Sequence, residues 1–152
     1  MGGNDMNWKD EVIQKLEWNG AISNLEDKLK VAKKIAQRVN EGDVIGFGSG
    51  STSFLAAKEI AKKVKEEGLH ITAIPTSHEI LMLCSHLQIP TATLVEKKPD
   101  WCFDGADEVN DKNWLIKGRG AAMFKEKLNM VNAGITYILV DDSKFVDKIN
   151  KK

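Results

Sequence analysis

The feature that most constrains the fold is a short apolar run that a Gly/Ser/Thr loop joins to a helical pattern. Residues 44–47 (VIGF) have the composition of a buried strand, and the loop 48–52 (GSGST) follows immediately. Gly68 is well placed to end the helix that comes next. The apolar residues of that helix recur at the spacing of one helical face: Phe54, Ala57, Ile60, Ala61 and Val64. This strand, loop and helix indicate a layered α/β architecture.

The same alternation continues along the chain. Strands are predicted over 71–74, 91–95, 101–103 and 135–140, and an extended segment over 113–116. Helical patterns lie between most of these strands. Strands that alternate with helices predict an α/β fold with a layered, largely parallel sheet flanked by helices.

Two of the predicted helices have capping boxes at their starts. Ser23 and Glu26 precede a helical pattern that continues to residue 39. Thr76 and Glu79 precede the helix that follows the strand 71–74. The expected buried face of this second helix consists of Ile80, Leu81, Cys84 and Leu87.

The first residues of the chain lie outside the alternation. Residues 4–18 have the pattern of a short amphipathic helix. We therefore divide the chain into an N-terminal helical arm, residues 1–24, and an α/β core domain, residues 25–152. Trp8 and Trp18 suit docking of the arm either on the core domain or on a partner, and the sequence favours neither.

Charge and hydropathy argue against several classes of function. Lysine and arginine together number 22, as do aspartate and glutamate, so the neutral chain gives no general reason to bind nucleic acid or an anionic membrane. No stretch approaches the ~18 apolar residues of a transmembrane helix. Cys84 and Cys102 match no metal or redox spacing, which predicts buried free thiols in a reducing cytosol. We therefore expect a cytoplasmic protein with no metal, no nucleic-acid partner and no membrane association.

The loop 48–52 has the composition of a phosphate cradle. Glycines expose backbone N–H groups, hydroxyls add donors, and the N-terminus of the next helix favours negative charge. The loop lacks the lysine of a P-loop, and Ser51 stands where a dinucleotide-binding fingerprint has its third glycine. A phosphomonoester sugar therefore fits better than a dinucleotide. The alternative is a plain strand-to-helix turn.

A second polar stretch has residue types suited to proton transfer. Asp104 and Asp107 follow the strand 101–103, Lys117 opens a glycine turn, and Glu126 lies on the next helix. Apolar neighbours on the helix would desolvate Glu126 and strengthen it as a general base. The alternatives are two turn-forming aspartates, a surface lysine and a glutamate exposed on a charged helix face.

Several motifs together resemble the type A family of ribose-5-phosphate isomerases. The resemblance covers about residues 25–150, and its motifs are GFGSGST (46–52), DGADEVN (104–110), LIKGRGAA (115–122) with EK at 126–127, and DDSK (141–144). It implies a Rossmann-like sugar-phosphate isomerase core. It also implies interconversion of D-ribose 5-phosphate and D-ribulose 5-phosphate through an enediolate, in the non-oxidative pentose phosphate pathway. No metal or cofactor is implied, and full-length members are expected to be homo-oligomers.

The resemblance also implies a role for each matched residue. Glu126 would be the general base, Asp104 and Lys117 would manage protons and charge at the sugar oxygens, and Asp107 would help to open the sugar ring. Arg119 departs from the family, because some members have glycine there; its side chain either points away or adds a phosphate contact. The other implied substrate contacts are Ser49, Gly50, Ser51, Thr52, Gly105, Ala106, Gly118, Gly120, Lys144 and, more weakly, Lys28.

The resemblance implies a difference in length as well. Family members continue past the point that corresponds to residue 152, into a C-terminal α+β part that covers the site. We expect this chain to be less active and less stable than a full-length relative. Two alternatives to an enzyme are a sugar-phosphate-binding or sensor module without turnover and an inactive incomplete fragment. The glutamate at position 126 favours an enzyme, since binding alone requires no base.

Overall fold

A computed structural model describes residues 16–150 of the chain. Its helices and strands, in chain order, are α1 (Leu25–Ala36), β1 (Val44–Phe47), α2 (Gly50–Glu67), β2 (Thr72–Pro75), α3 (His78–His86), β3 (Trp101–Gly105), β4 (Glu108–Val109), β5 (Leu115–Ile116), α4 (Met123–Asn132) and β6 (Ile135–Leu139), followed by a short 3-10 helix (Asp142–Lys144).

Four strands form one parallel sheet in the order β2-β1-β3-β6. In the middle of the sheet, Gly46 of β1 lies opposite Ile74 on one side and Cys102 on the other. The strands β4 and β5 form a separate antiparallel pair. This arrangement confirms the predicted α/β fold with a largely parallel sheet. Because the four strands run in one direction, their carboxyl ends share one edge of the sheet.

The main apolar core lies between this sheet and the helices α1, α2 and α3. The rings of Phe47 and Phe103 lie 4.9 Å apart at their centroids, on neighbouring strands, and Ile60 of α2 is fully buried. Each such side chain stabilises the fold by about 1.5–3 kcal/mol through removal of apolar area from water.

Both cysteines are free and buried, and burial raises the pKa of the Cys84 thiol to about 12. Within residues 16–150 no helix is long and apolar enough to cross a membrane.

The capping box predicted for α1 does not form. The residue before the helix is Asn24, which has a left-handed backbone (φ 52°, ψ 41°) and no side-chain capping bond. Ser23 instead accepts a hydrogen bond from the Lys28 ammonium at 3.2 Å. The Asn24 amide donates to Asp141 at 3.1 Å. These side chains therefore form hydrogen bonds to other residues of the fold and not to the N–H groups at the start of α1.

The start of α3 also differs from the prediction. Its N-cap is Ser77, whose hydroxyl accepts from the Ile80 N–H at 3.2 Å. Thr76 lies one residue earlier and donates its hydroxyl proton to the Phe47 carbonyl of β1 at 3.0 Å. Leu81, expected on the buried face of α3, is exposed.

The strand predicted over 91–95 is wrong. Only Thr91 forms a bridge, to Ala73 of β2. The chain then turns, because the Glu96 carboxylate accepts from both the N–H and the hydroxyl of Thr93, at 2.8 and 2.9 Å. Such local side-chain bonds compete with strand pairing, and Val95 is left 97% exposed.

The predicted helix over 4–18 lies largely outside the described residues, which begin at residue 16. Residues 16–24 contain no helix. Trp18 packs edge-on against Phe54 of α2, with ring centroids 5.5 Å apart. The tryptophan therefore docks on the core domain. The domain boundary after residue 24 stays a prediction.

Candidate active site

A cavity opens at the edge of the sheet where β1 and β3 end. Its volume is about 160 Å³, which suits a small metabolite and is below the range of about 300–1,000 Å³ typical of sites for drug-sized ligands. Every site residue predicted from the sequence lines it: Lys28, Ser49, Gly50, Ser51, Thr52, Asp104, Gly105, Ala106, Asp107, Lys117, Gly118, Arg119, Gly120, Glu126 and Lys144. Residues that are up to 116 positions apart in the sequence therefore share one surface.

The loop after β1 reaches this cavity because Gly48 has no side chain. Its N–H donates to the Phe103 carbonyl of β3 at 2.8 Å. A Cβ at this position would overlap with that carbonyl and with the Asp104 carboxylate. The loop therefore lies directly against the end of β3, and Ser49 lies beside Asp104.

The β4–β5 pair delivers Lys117 into the cavity. The Asp107 N–H donates to the Ile116 carbonyl at 2.7 Å, immediately before the lysine. The Lys117 ammonium lies 3.2 Å from Asp104 Oδ2 and 3.3 Å from Glu126 Oε2. Only 6% of the lysine side chain is exposed, which excludes the surface-lysine interpretation. One ammonium thus lies between two buried carboxylates.

The helix α4 directs Glu126 into the cavity. Glu126 is buried, whereas Met123 and Phe124 in the same helix are exposed. The other buried residue of this helix is Asn129, three positions further on and therefore on the same face. The alternative of an exposed glutamate on a charged face is excluded. The buried face of α4 is consequently polar.

Asn129 is a site-positioning residue that sequence reasoning missed. Its amide donates to the Ile74 carbonyl of β2 at 2.9 Å. It lies so close to Gly46 that a Cβ there would approach the amide nitrogen to 3.0 Å. This contact fixes α4, and with it Glu126, against the sheet. The signal that would have identified it is a polar residue three positions after Glu126.

Ser49 bonds to both acids. Its hydroxyl donates to Glu126 Oε1 at 2.5 Å, and its N–H donates to Asp104 Oδ1 at 3.2 Å. The Gly105 N–H also donates to Asp104 Oδ1, at 2.8 Å. The second oxygens, Asp104 Oδ2 and Glu126 Oε2, are buried and make no directional hydrogen bond within residues 16–150. Their close neighbour is the Lys117 ammonium.

Burial changes the proton affinity of Asp104. Desolvation raises the pKa of its carboxyl to about 6, and the Glu126 charge acts in the same direction. The Lys117 ammonium and the Gly105 N–H oppose this rise. The carboxyl can therefore gain or lose a proton close to neutral pH.

Basic residues lie at the other end of the cavity. The Lys28 ammonium donates to Ser23 and Ser51 hydroxyls, each at 3.2 Å. Burial lowers the pKa of Lys28, while the nearby Asp141 charge raises it and the Lys144 charge lowers it. Asp141 belongs to the DDSK motif (141–144), and nothing in the sequence pattern indicates that its charge lies near Lys28.

The glycine turn forms the open side of the cavity. Gly118 has a φ of 91°, and a Cβ there would approach Met123 to 2.9 Å, so the turn requires glycine at this position. Arg119 is exposed, and its N–H donates to Asp107 Oδ2 at 3.4 Å. Its side chain makes no hydrogen bond or ion pair within the described part of the chain. In residues 16–150 no three His, Cys, Asp or Glu side chains are grouped to hold a metal ion.

Known proteins similar to this chain indicate the family to which it belongs. The family model of ribose 5-phosphate isomerase A (phosphoriboisomerase A) matches residues 72–152. The ribose-5-phosphate isomerase A of Methanocaldococcus jannaschii is 45% identical over 132 residues, which are 86% of this chain and 58% of that protein.

Two solved structures agree with this match. The Methanocaldococcus jannaschii ribose 5-phosphate isomerase A has a TM-score of 0.83 at 44% identity, and a D-ribose-5-phosphate isomerase in complex with phospho-erythronic acid has 0.82 at 37%. Each comparison covers 86% of this chain and 58% of the other. The chain therefore spans a little over half the length of these relatives. The family match, the identities and the shared fold together establish that the chain belongs to the ribose 5-phosphate isomerase A family.

Proposed function

We propose that the protein is an aldose–ketose isomerase that interconverts D-ribose 5-phosphate and D-ribulose 5-phosphate through an enediolate. The observation that supports this most directly is the buried cluster of Asp104, Lys117 and Glu126 beside a phosphate-type loop. Relatives named ribose-5-phosphate isomerase A support the choice of substrate. The proposal places the enzyme in the cytosol and in the non-oxidative pentose phosphate pathway. It includes independence of metal ions and a homo-oligomeric full-length form.

Glu126 is the proposed general base. In the open-chain aldose, Glu126 Oε2 removes the proton from C2, the C–H electrons form a C1=C2 double bond, and negative charge moves onto O1. The carboxyl then returns the proton to C1 while the O2 proton passes to O1, which leaves the ketose carbonyl at C2. Burial on α4 and the Ser49 hydrogen bond hold the base in place for this transfer.

Lys117 and Asp104 are proposed to act at the sugar oxygens. The buried ammonium provides positive charge where the enediolate oxygens develop negative charge. Asp104, with a pKa raised to about 6 by burial, suits transfer of the proton between O2 and O1 near neutral pH. Asp107 lies on the neighbouring turn and is proposed to assist ring opening.

The substrate phosphate is proposed to bind at the start of α2. No side chain caps this helix of 18 residues, so its first N–H groups and its dipole are available to an anion. Ser51 and Thr52 add hydroxyl donors, and Lys28 and Lys144 add positive charge at the same end of the cavity.

The test is turnover of ribose 5-phosphate by the full chain in the presence of EDTA. Glu126→Gln removes the proposed base with little change of shape and is expected to lower kcat by about 10²–10⁴-fold. The matched control is Glu66→Gln, which makes the same chemical change at an α2 residue whose side chain is 64% exposed. The control is expected to keep the wild-type rate.

Three results would contradict the proposal in different ways. Equal rates for Glu126→Gln and wild type would exclude Glu126 as the base. Saturable binding of ribose 5-phosphate without turnover would favour a binding module. Neither binding nor turnover would favour an incomplete fragment.

A further inference from the structure

We infer that Ser49 is a positioning residue for the base Glu126 and not a ligand of the phosphate. This inference rests on the proposed isomerase function and changes the role that the family resemblance implies for Ser49. The hydroxyl of Ser49 donates to Glu126 Oε1 at 2.5 Å. This bond joins the β1 loop to α4.

Both donors of Ser49 are already engaged by carboxylates. The hydroxyl has one proton, which it donates in a hydrogen bond to Glu126 Oε1, and the N–H donates to Asp104 Oδ1 at 3.2 Å. A phosphate dianion offers only acceptors and must be bound by donors. Ser49 therefore has no donor left for a phosphate unless it releases one of the two acids.

The backbone supports the same assignment. Ser49 is the N-cap of α2 and has an extended backbone (φ −111°, ψ 173°), the conformation from which serine usually caps its own helix. Its side chain makes no capping bond, because the hydroxyl is bonded to Glu126 instead. Ser49 therefore forms a side-chain bond to α4 and not a cap on its own helix.

The neighbouring Ser51 has a different partner. Its hydroxyl accepts from the Lys28 ammonium at 3.2 Å and so keeps its own proton for a ligand. The two serines of the loop thus face two ends of the cavity. Ser49 belongs to the acid end, and Ser51 belongs to the phosphate end.

The bond from Ser49 distinguishes the two oxygens of Glu126. Oε1 is held by the hydroxyl, whereas Oε2 is buried beside Lys117 with no directional hydrogen bond within residues 16–150. Fixing one oxygen orients the other, and Oε2 becomes the oxygen that accepts the substrate proton. Loss of the bond would let the carboxylate rotate, and misplacement of a catalytic group by about 1 Å can lower the rate about 10²-fold.

The first experiment compares Ser49→Ala, Ser49→Thr and Ser51→Ala in the isomerase assay. Ser49→Ala is expected to lower kcat about 10- to 100-fold with KM almost unchanged. Ser49→Thr keeps a hydroxyl and is expected to restore most of kcat. Ser51→Ala is expected to raise KM and to weaken binding of inorganic phosphate, whereas Ser49→Ala leaves phosphate binding intact.

The second experiment requires no turnover. In protein with ¹³C-labelled glutamate carboxyl groups, the Glu126 resonance is identified by its loss in Glu126→Gln. At pH 8, Ser49→Ala is expected to move this resonance, Ser49→Thr to restore it, and Ser51→Ala to leave it in place.

An unmoved Glu126 resonance in Ser49→Ala would overturn the inference, as would a raised KM at unchanged kcat. Absence of isomerase activity in the wild-type protein would contradict the proposed function instead. In that case the resonance alone decides whether Ser49 holds Glu126.

Discussion

The two ends of the cavity differ in how their polar groups are engaged. At the acid end, Asp104, Lys117 and Glu126 are bonded or paired with one another and with Ser49. At the phosphate end, no side chain caps α2, and the Lys144 side chain makes no hydrogen bond or ion pair within residues 16–150. The acid end is a fixed arrangement of charges, whereas the phosphate end keeps donors available for a ligand. Stability should therefore depend mainly on the acid end, and substrate affinity mainly on the phosphate end.

The largest effect is expected for Lys117→Met. The change keeps the length of the side chain but leaves Asp104 and Glu126 buried without their cation. Breaking a buried pair in this way costs about 3–5 kcal/mol of unfolding free energy. The loss should be smaller at pH 5 than at pH 8, because the Asp104 carboxyl, whose pKa burial raises to about 6, can then take up a proton.

Urea unfolding at the two pH values measures this loss. The matched control is Lys30→Met on α1, where the side chain is 75% exposed and pairs with Asp27 at 2.9 Å. That change should lower the unfolding free energy far less, because solvent screens an exposed pair. Equal losses for the two lysines would remove the energetic difference between the acid end and an ordinary surface.

The next effect is the pH dependence contributed by Asp104. Burial raises its pKa from 3.8 to about 6 in the folded protein, so the folded state holds a proton that the unfolded chain has lost. The stabilisation of the folded state by this proton on Asp104 is fully present below about pH 4, and it disappears as the pH rises through 6. Relative to Asp104→Asn, the wild type should lose up to about 3 kcal/mol of unfolding free energy over this range. Urea unfolding of both proteins from pH 4 to 7.5 measures it, and a constant difference would contradict it.

Lys28→Met tests the phosphate end. Lys28 contacts the Ser51 hydroxyl and is buried, and a hydrogen bond to a charged group contributes about 1.5–3 kcal/mol. KM for ribose 5-phosphate should therefore rise about 10- to 100-fold while kcat stays nearly constant. Steady-state kinetics and inorganic-phosphate binding measure both. An equal fall in kcat would show that Lys28 acts on the chemistry, and the distinction between the two ends would fail.

The sequence predicted which residues converge, but not how their side chains pair. Parallel strands place their carboxyl ends on one edge, so the positions of Ser49 and Asp104 followed from the alternation of strands and helices. The hydrogen-bond partner of each serine hydroxyl could not be predicted from the sequence, because a serine at a helix start has several acceptors of similar energy. Asn24 illustrates this difficulty, since its amide bonds to Asp141, which lies 117 positions away. Local patterns therefore predicted the residues that line one cavity and misplaced both capping boxes.

The smallest effect is expected for Arg119→Gln. Arg119 lines the open side of the cavity, is exposed, and has no side-chain partner in residues 16–150. Changes at such positions usually alter the unfolding free energy by no more than about 0.5 kcal/mol. Without a fixed geometry, the guanidinium can add only a screened attraction to the phosphate. KM should rise by no more than about threefold at low ionic strength, and the rise should vanish in added salt. Kinetics at two salt concentrations measures this, with Lys28→Met as the comparison. A rise in KM as large as that of Lys28→Met would assign Arg119 to the phosphate end as a direct ligand.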